Sequence, residues 1–404
     1  MRIAIVSEGF FPEVSGVTIA VERHIEFLTD RGHEVLLVHP SYPSDVRGLF
    51  RNAREPSVRA ERLEFDSEAL APHRPETRAP TRRGADEVDA ALDRFRPAAV
   101  MYHNPDRLVP DLSRPWRRRR VAGLAAAHRA GAIAVPIIHT LLPLYVERSA
   151  QWYWRTRPLS ALARRIWASI YNDHFRFAVT VDVAARDYAQ SAGITVPILA
   201  GAWNGVDTSV FYPRDVERTS GGPLRIISVG RLVREKNAHL LVPLVHALRN
   251  ARVPFELVIV GDGPVASDLA RDLGSAPEVI RRGWLAPSEI ADELARSDVY
   301  LSASDTESFS LTAEEALATG VPVIAPDVIG FKRLGGRDLG FLFPGSWLDD
   351  NGMAHLARRI IEEVTPERLA GWSAKARASA SQRSWSRALG SFAEELSRET
   401  RLEF

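Results

Sequence analysis

The chain has 404 residues, of which 45% are hydrophobic and 25% charged, with a formal net charge of +1 and no cysteine. That length exceeds one ordinary core and predicts roughly two or three domains. The near-neutral balance excludes a global electrostatic pull toward nucleic acid, and the missing thiols exclude disulfides, thiolate metal sites and a cysteine nucleophile.

The opening "MRIAIVSEGF" is a short apolar run without the length or flanks of a signal peptide, and no stretch approaches the ~20 apolar residues of a membrane span, so a cytoplasmic protein is expected. Residues 2–6, "RIAIV", are short, β-branched and apolar, as a buried parallel strand is. The turn "SEGFFPEVSG" leads to a helix, "VTIAVERHIEFLTDRG", closed by Gly32, and "HEVLLVHP" forms the next strand. This βαβ opening predicts a doubly wound α/β domain. Residues 43–96 are richer in Arg, Glu and Pro and carry no clear period. "AAVMYHN" and "AIAVPIIHT" read as later strands of the same sheet, 147–176 as helical, and "FAVTVD" as another strand. After the polar, turn-rich stretch 205–222 the pattern restarts: strand "LRIISVGRL", helix "NAHLLVPLVHALRN", strand and turn "PFELVIVGDGP", helix "SEIADELARS", strand "DVYLSAS", helix "LTAEEALATG", strand "VPVIAP". From about Trp385 the chain is an amphipathic helix.

Two Rossmann-like domains, 1–205 and 206–384, with a final helix over 385–404, are therefore expected to enclose a cleft. In open parallel sheets ligands sit at the carboxyl ends of the strands. The loops 7–16, 139–145, 230–236, 261–264, 283–285 and 305–311 all fall there.

One stretch stands out, "SDTESFSLTAEEALATGVPVIAP" (304–326). A helix beginning near Ser310–Thr312 offers the free N–H groups of Ser310, Leu311 and Thr312 to phosphate oxygens, helped by its dipole. Glu315, one turn in, is spaced to accept hydrogen bonds from ribose hydroxyls, and Glu307 on the preceding loop to meet a sugar beyond the diphosphate. An arbitrary pair of glutamates is more often a loop carboxylate and a solvated helix residue. Arg231 and Lys236 follow another strand and supply a planar fork of donors and a flexible point charge. Gly261 and Gly263 in "GDGP" suit a tight turn. Asp182 suits a helix N-cap.

"TESFSLTAEEALATGVPVIA" resembles the E-x7-E segment of retaining glycosyltransferases of family 4, and the likeness continues in order along the chain outside residues 43–96. "VGRLVREKN" (229–237) is similar to that family's strand-to-loop signature, with Gly230, Arg231 and Lys236 at the donor diphosphate. "IVGDGP" (259–264) resembles the next turn and carries Gly261. "GWL" (Gly283, Trp284, Leu285) resembles the segment flanking the base. "NGVDTSVFYP" resembles the interdomain linker. N-terminally, "SEGFFPEVSGVT" brings Gly16 to the position of a glycine loop near the donor phosphate, and "IIHTLLPLY" brings His139 to a histidine facing the reacting sugar. The branch it resembles contains bacterial mannosyl-, glucosyl- and sulfoquinovosyl-transferases.

The resemblance implies a GT-B fold with a C-terminal crossover helix, the donor held by the second domain and the acceptor by the first. It implies retaining transfer of a hexosyl group from a nucleoside-diphosphate sugar to a hydroxyl of a small-molecule, natural-product or lipid acceptor, with no metal and no other cofactor. Arg231, Lys236, Glu307 and His139 would be catalytic. The donor residues would include Ser308, Phe309, Ser310, Leu311, Thr312 and Glu315, and the acceptor side Asn104 and Tyr145. Frequency among relatives favours UDP over GDP.

The departures matter. "ESFS" stands where "EGFG" is common, so Ser308 would crowd the sugar or add a hydroxyl contact. "YHNPDRL" (102–108) is unlike the usual acceptor-side loop and implies an unusual acceptor. "RPWRRRR" (114–120) and "RSAQWYWRTRPLSALARRIW" (148–167) mix basic and aromatic residues. Such a surface suits an anionic membrane or a lipid-linked acceptor, and equally an arginine-rich solvated face. A same-fold epimerase and a non-catalytic nucleotide-sugar-binding subunit remain as alternatives. A dehydrogenase is disfavoured because no G-x-G-x-x-G follows the first strand. Oligomeric state is left open.

Overall fold

Alternating apolar strands and amphipathic helices fold this chain into two parallel sheets, each in its own unit, in a computed structural model that describes residues 1–49, 58–71, 74–110, 120–151, 157–201, 203–214 and 222–404. The first unit comprises Met1–Asn204 and Leu389–Phe404, the second Gly205–Ala388.

The strands of the first unit are β1 (Arg2–Ser7), β2 (Glu34–Pro40), β3 (Glu61–Phe65), β4 (Ser67–Ala71), β5 (Arg74–Pro80), β6 (Ala99–His103), β7 (Ile133–Ile138), β8 (Ala178–Thr180) and β9 (Ile198–Ala200). Its main sheet runs β3-β2-β1-β6-β7-β8-β9, all pairings parallel. The central strands are buried on both faces, which is why they read as unbroken apolar runs. In the second unit β10 (Leu224–Val229), β11 (Phe255–Val260), β12 (Val279–Gly283), β13 (Val299–Leu301), β14 (Val323–Pro326) and β15 (Gly340–Phe343) form a sheet in the order β12-β11-β10-β13-β14-β15, again parallel. Each sheet has one point where the chain leaves a central strand in opposite directions: β1/β6 in the first, β10/β13 in the second. Ligands of such folds gather beyond the strand ends at that point.

Residues 43–96 are more regular than their composition suggests. They hold β3, the antiparallel β4–β5 hairpin and a helix, Arg82–Phe95. In β3, "ERLEF", only Phe65 is fully buried, so an edge strand hides behind its charges. Unassigned from sequence, too, were β15 and the helices Asp350–Glu363 and Pro366–Ser379. In Pro366–Ser379 only Trp372 and Ala376 are buried, so its apolar stripe is thin.

The final helix is Trp385–Thr400. Within the first unit its Phe392 packs edge-on against His24 and beside Trp203. Where the units part, Val206 bridges Ser384 in parallel: the Val206 N–H donates to Arg383 O (2.7 Å) and the Trp385 N–H to Val206 O (3.2 Å).

Candidate active site

Beyond the β10/β13 switch point, two loops are tied together. The loop after β10 contains Arg231 and Lys236, and the loop after β13 contains Glu307. Asn237, in left-handed backbone, donates through Nδ2 to Ala303 O (3.1 Å), and the Thr306 hydroxyl donates to Glu235 O (3.0 Å). Lys236 Nζ lies 2.6 Å from Glu307 Oε1, with both side chains largely buried. Two residues 71 apart in sequence are thus joined as an ion pair. Arg231 Nη2 lies 3.5 Å from Glu235 Oε1 on the same loop.

Glu307 leads into the helix Leu311–Ala318. Ser310 before it has φ +60° and its side chain does not cap the helix. Its hydroxyl is buried with no partner among the described residues. An uncapped helix N-terminus beside an unsatisfied buried hydroxyl is a ready anion site. The Thr312 hydroxyl shares a 2.8 Å hydrogen bond with Tyr300. Leu311, Ser308 and Glu315 are half-buried, and Phe309 is buried. Burial pushes the Glu315 carboxyl up to about 7. Hydroxyl donors from a ligand would favour its charged form.

Gly230, Gly261 and Gly283 meet at the ends of β10, β11 and β12. The Gly230 N–H donates to Val260 O (3.0 Å) and the Gly261 N–H to Gly283 O (2.7 Å). A Cβ on Gly261, which has φ +132°, would sit 2.9 Å from the Gly230 carbonyl carbon. That glycine is needed for the close approach of two loops. Beside them Trp284 is 42% exposed, and Leu285 packs against the sheet core.

The β1/β6 switch point carries a second polar cluster, wholly inside the first unit. Asn104, buried at φ +53°, directly follows β6. Its Oδ1 accepts from the backbone N–H groups of His139 (2.7 Å) and Thr140 (3.0 Å), and its Nδ2 donates to the Thr140 hydroxyl (3.1 Å) and to Glu8 Oε1. Glu8 Oε2 in turn lies 2.9 Å from Arg107. Burial raises the Glu8 carboxyl in spite of that guanidinium. His139 Nε2 and His103 Nδ1 are 2.8 Å apart, one donating and one accepting, with the ring planes 10° apart. Burial, and secondarily the nearby His24, lowers His139 to about 3. The ring is therefore neutral near pH 7, suited to hydrogen bonding rather than to carrying charge.

Gly16 begins the helix Gly16–Asp30 in this unit, capped by a reciprocal Ser15–Thr18 box. Asp182 is a helix N-cap, accepting from the Ala184 N–H (2.7 Å). The Tyr145 side chain lies outside the described residues, as do 114–119, 152–156 and the side chains of 148–159. Among the described residues no helix is long and apolar enough to cross a membrane, and no group of three His, Asp or Glu could hold a metal.

Sequence reasoning overlooked Glu8, His103, Arg107, Glu314 and Arg333. Glu8 carried a signal, a carboxylate one residue past a buried strand; the others have partners too far along the chain to infer.

The family described as glycosyl transferases group 1 matches residues 214–378. The chain is 30% identical over 347 residues to a GDP-mannose-dependent alpha-mannosyltransferase of Mycolicibacterium smegmatis, covering 83% of this chain and 82% of that one. It is 28% identical over 371 residues to a sulfoquinovosyl transferase of Arabidopsis thaliana, covering 85% and 64%. In fold it resembles sucrose-phosphate synthase from Thermosynechococcus elongatus (TM-score 0.71, 16% identity, 99% and 100% covered) and an Anabaena protein solved with UDP-glucose (TM-score 0.68, 19% identity, 98% and 100% covered). On that identity and coverage the chain belongs to the glycosyl transferases group 1, as a hexosyltransferase of GT-B fold that draws on a nucleotide-sugar donor.

Proposed function

We propose that the protein is a retaining mannosyltransferase. It would use GDP-mannose and a hydroxyl of a small-molecule or lipid acceptor, with donor binding in the second unit and acceptor binding in the first. The GDP-mannose-dependent relative supports guanine and mannose over the UDP donor that frequency favoured. The observation that carries the donor side is the Lys236–Glu307 pair beside the uncapped helix with its unpartnered Ser310 hydroxyl.

The chemistry follows from charge. As the bond between the anomeric carbon and the phosphate oxygen breaks, its electron pair passes to the diphosphate. Arg231, Lys236 and the N–H groups at 310–312 face that growing charge, and such preorganised donors are the main catalytic contribution in sites of this kind. The acceptor oxygen bonds to the anomeric carbon on the same face and its proton goes to the departing phosphate. Glu315 takes the ribose hydroxyls and Glu307 those of the hexose. Two cations serve the diphosphate, so no metal ion is required.

A thermal-shift and hydrolysis series with GDP-mannose, GDP-glucose and UDP-glucose, with and without EDTA, tests this. Stabilisation by GDP-mannose that survives EDTA is expected. A response to UDP-glucose alone overturns the choice of base. A response abolished by EDTA overturns metal independence. Silence toward all three overturns the donor site.

A further inference from the structure

Glu314 precedes Glu315 on the donor helix and is the more buried of the two. Burial by itself would raise its carboxyl, but the guanidiniums of Arg333 and Arg383 more than offset that and hold it below the ordinary range. Arg333 donates to Glu314 Oε1 through Nε (2.9 Å) and Nη2 (2.7 Å), while Arg383 engages Oε2. A planar fork locked in this way has a fixed orientation.

That orientation reaches the loop of Glu307 twice. The Arg333 guanidinium lies over the Phe309 ring, 4.0 Å from its centroid. Its Nη1 donates to Gly330 O. Gly330 presses against the loop so closely that a Cβ there would lie 2.7 Å from the Glu307 carbonyl carbon. Gly330 thus abuts the backbone of Glu307, Phe309 lies two residues further along the same loop, and one guanidinium touches both. From this arrangement we infer that Arg333, oriented by Glu314, is a positioning residue that sets the 307–310 loop and with it the carboxylate of Glu307. The role of Glu307 toward the sugar rests on the donor reading above; the grip on the loop does not.

A lysine at 333 can neutralise Glu314 but cannot fork onto it or lay a planar guanidinium on Phe309. Arg333→Lys therefore separates a charge role from a positioning role. Arg359→Lys is the control, because Arg359 makes the same three kinds of contact away from the loop: it lies 4.3 Å over Phe341, donates to Leu342 O (2.9 Å) and pairs with Glu363 (2.6 Å). In the full-length protein without ligand, amide hydrogen exchange across 304–312 should rise about tenfold in Arg333→Lys and Glu314→Gln, and not in Arg359→Lys. With GDP-mannose, kcat for donor hydrolysis in Arg333→Lys should fall about tenfold while KM moves less than about twofold. Exchange at 304–312 unchanged in Arg333→Lys, or raised equally in Arg359→Lys, overturns the positioning role. A raised exchange with an unaltered kcat also overturns it, because the loop would then move without consequence. Failure of the wild-type protein to bind or hydrolyse GDP-mannose overturns the donor reading, and the exchange experiment still decides the grip on the loop.

Discussion

The Lys236–Glu307 pair holds a cation and a carboxylate ready at the end of one sheet, each satisfying the other until a ligand arrives. Breaking it from either side should be costly in rate. Lys236→Ala would remove the cation proposed to face the leaving diphosphate and should lower kcat about 100-fold, and Glu307→Gln should lower it comparably. Circular dichroism should show both variants folded; steady-state rates near wild type would withdraw the roles. Glu315 makes a pH prediction. Its carboxyl is raised from an ordinary 4.5 to about 7 by burial, so its contribution to stability is full below 4.5 and is lost as pH rises through about 7. Ribose hydroxyls on Glu315, as proposed, would favour the carboxylate, so donor binding should tighten as pH rises through about 7 and should release a proton below it. Calorimetry in two buffers of different ionisation enthalpy reads that proton directly; equal apparent enthalpies in both would count against Glu315 as the ribose partner. Ser310 sits at φ +60°, where a side chain costs about 1 kcal/mol relative to glycine. Ser310→Gly should therefore raise unfolding stability by about that amount in urea titrations of the ligand-free protein; an unchanged or lower midpoint would overturn this.

At the scale of elements, the loops that end β10, β11 and β12 are packed backbone to backbone. Gly261→Ala would drive a Cβ against the Gly230 carbonyl at a positive φ. It should cost about 2 kcal/mol or more of stability and weaken donor binding together. Unchanged urea midpoints would mean that the loops can part freely. The sequence read β10 and β11 and their terminal loops well, because a largely buried strand is an apolar run and the loop after it is turn-rich, but it assigned no strand to β12, whose "VIRRG" lies half exposed at the sheet edge. It read the edges poorly. β3 pairs on one side only and shows a single fully buried side chain, so composition hides it.

Across the whole molecule, the same construction occurs twice: a parallel sheet whose switch point carries a polar cluster, Glu8–Asn104–His139 in one unit and Lys236–Glu307 in the other. The chain passes between units at Gly205 and after Ala388, and there Gly205 leaves no room for a side chain, since a Cβ would lie 2.5 Å from the Trp385 nitrogen. Gly205→Ala should break the Val206–Ser384 bridge and lower the melting temperature by several degrees, in line with a loss of about 2 kcal/mol. An unaltered melt would show that the bridge can re-form around a methyl group.

Local patterns in the chain are enough to place the two-sheet plan, the strand ends where chemistry gathers and the Glu307–Glu315 spacing. All of these follow from local periodicity: one strand, one turn and one helix contain them. What each charged group faces depends on the folded arrangement. Glu314 and Glu315 are neighbours in one helix, yet one is held ionised by arginines 19 and 69 residues away and the other is pushed toward neutrality by burial. Asn104 likewise orients the backbone of His139, 35 residues on, through contacts that no local pattern announces. Hydrophobic period is a short-range property of the chain, whereas desolvation and ion pairing depend on which distant segments close over a group.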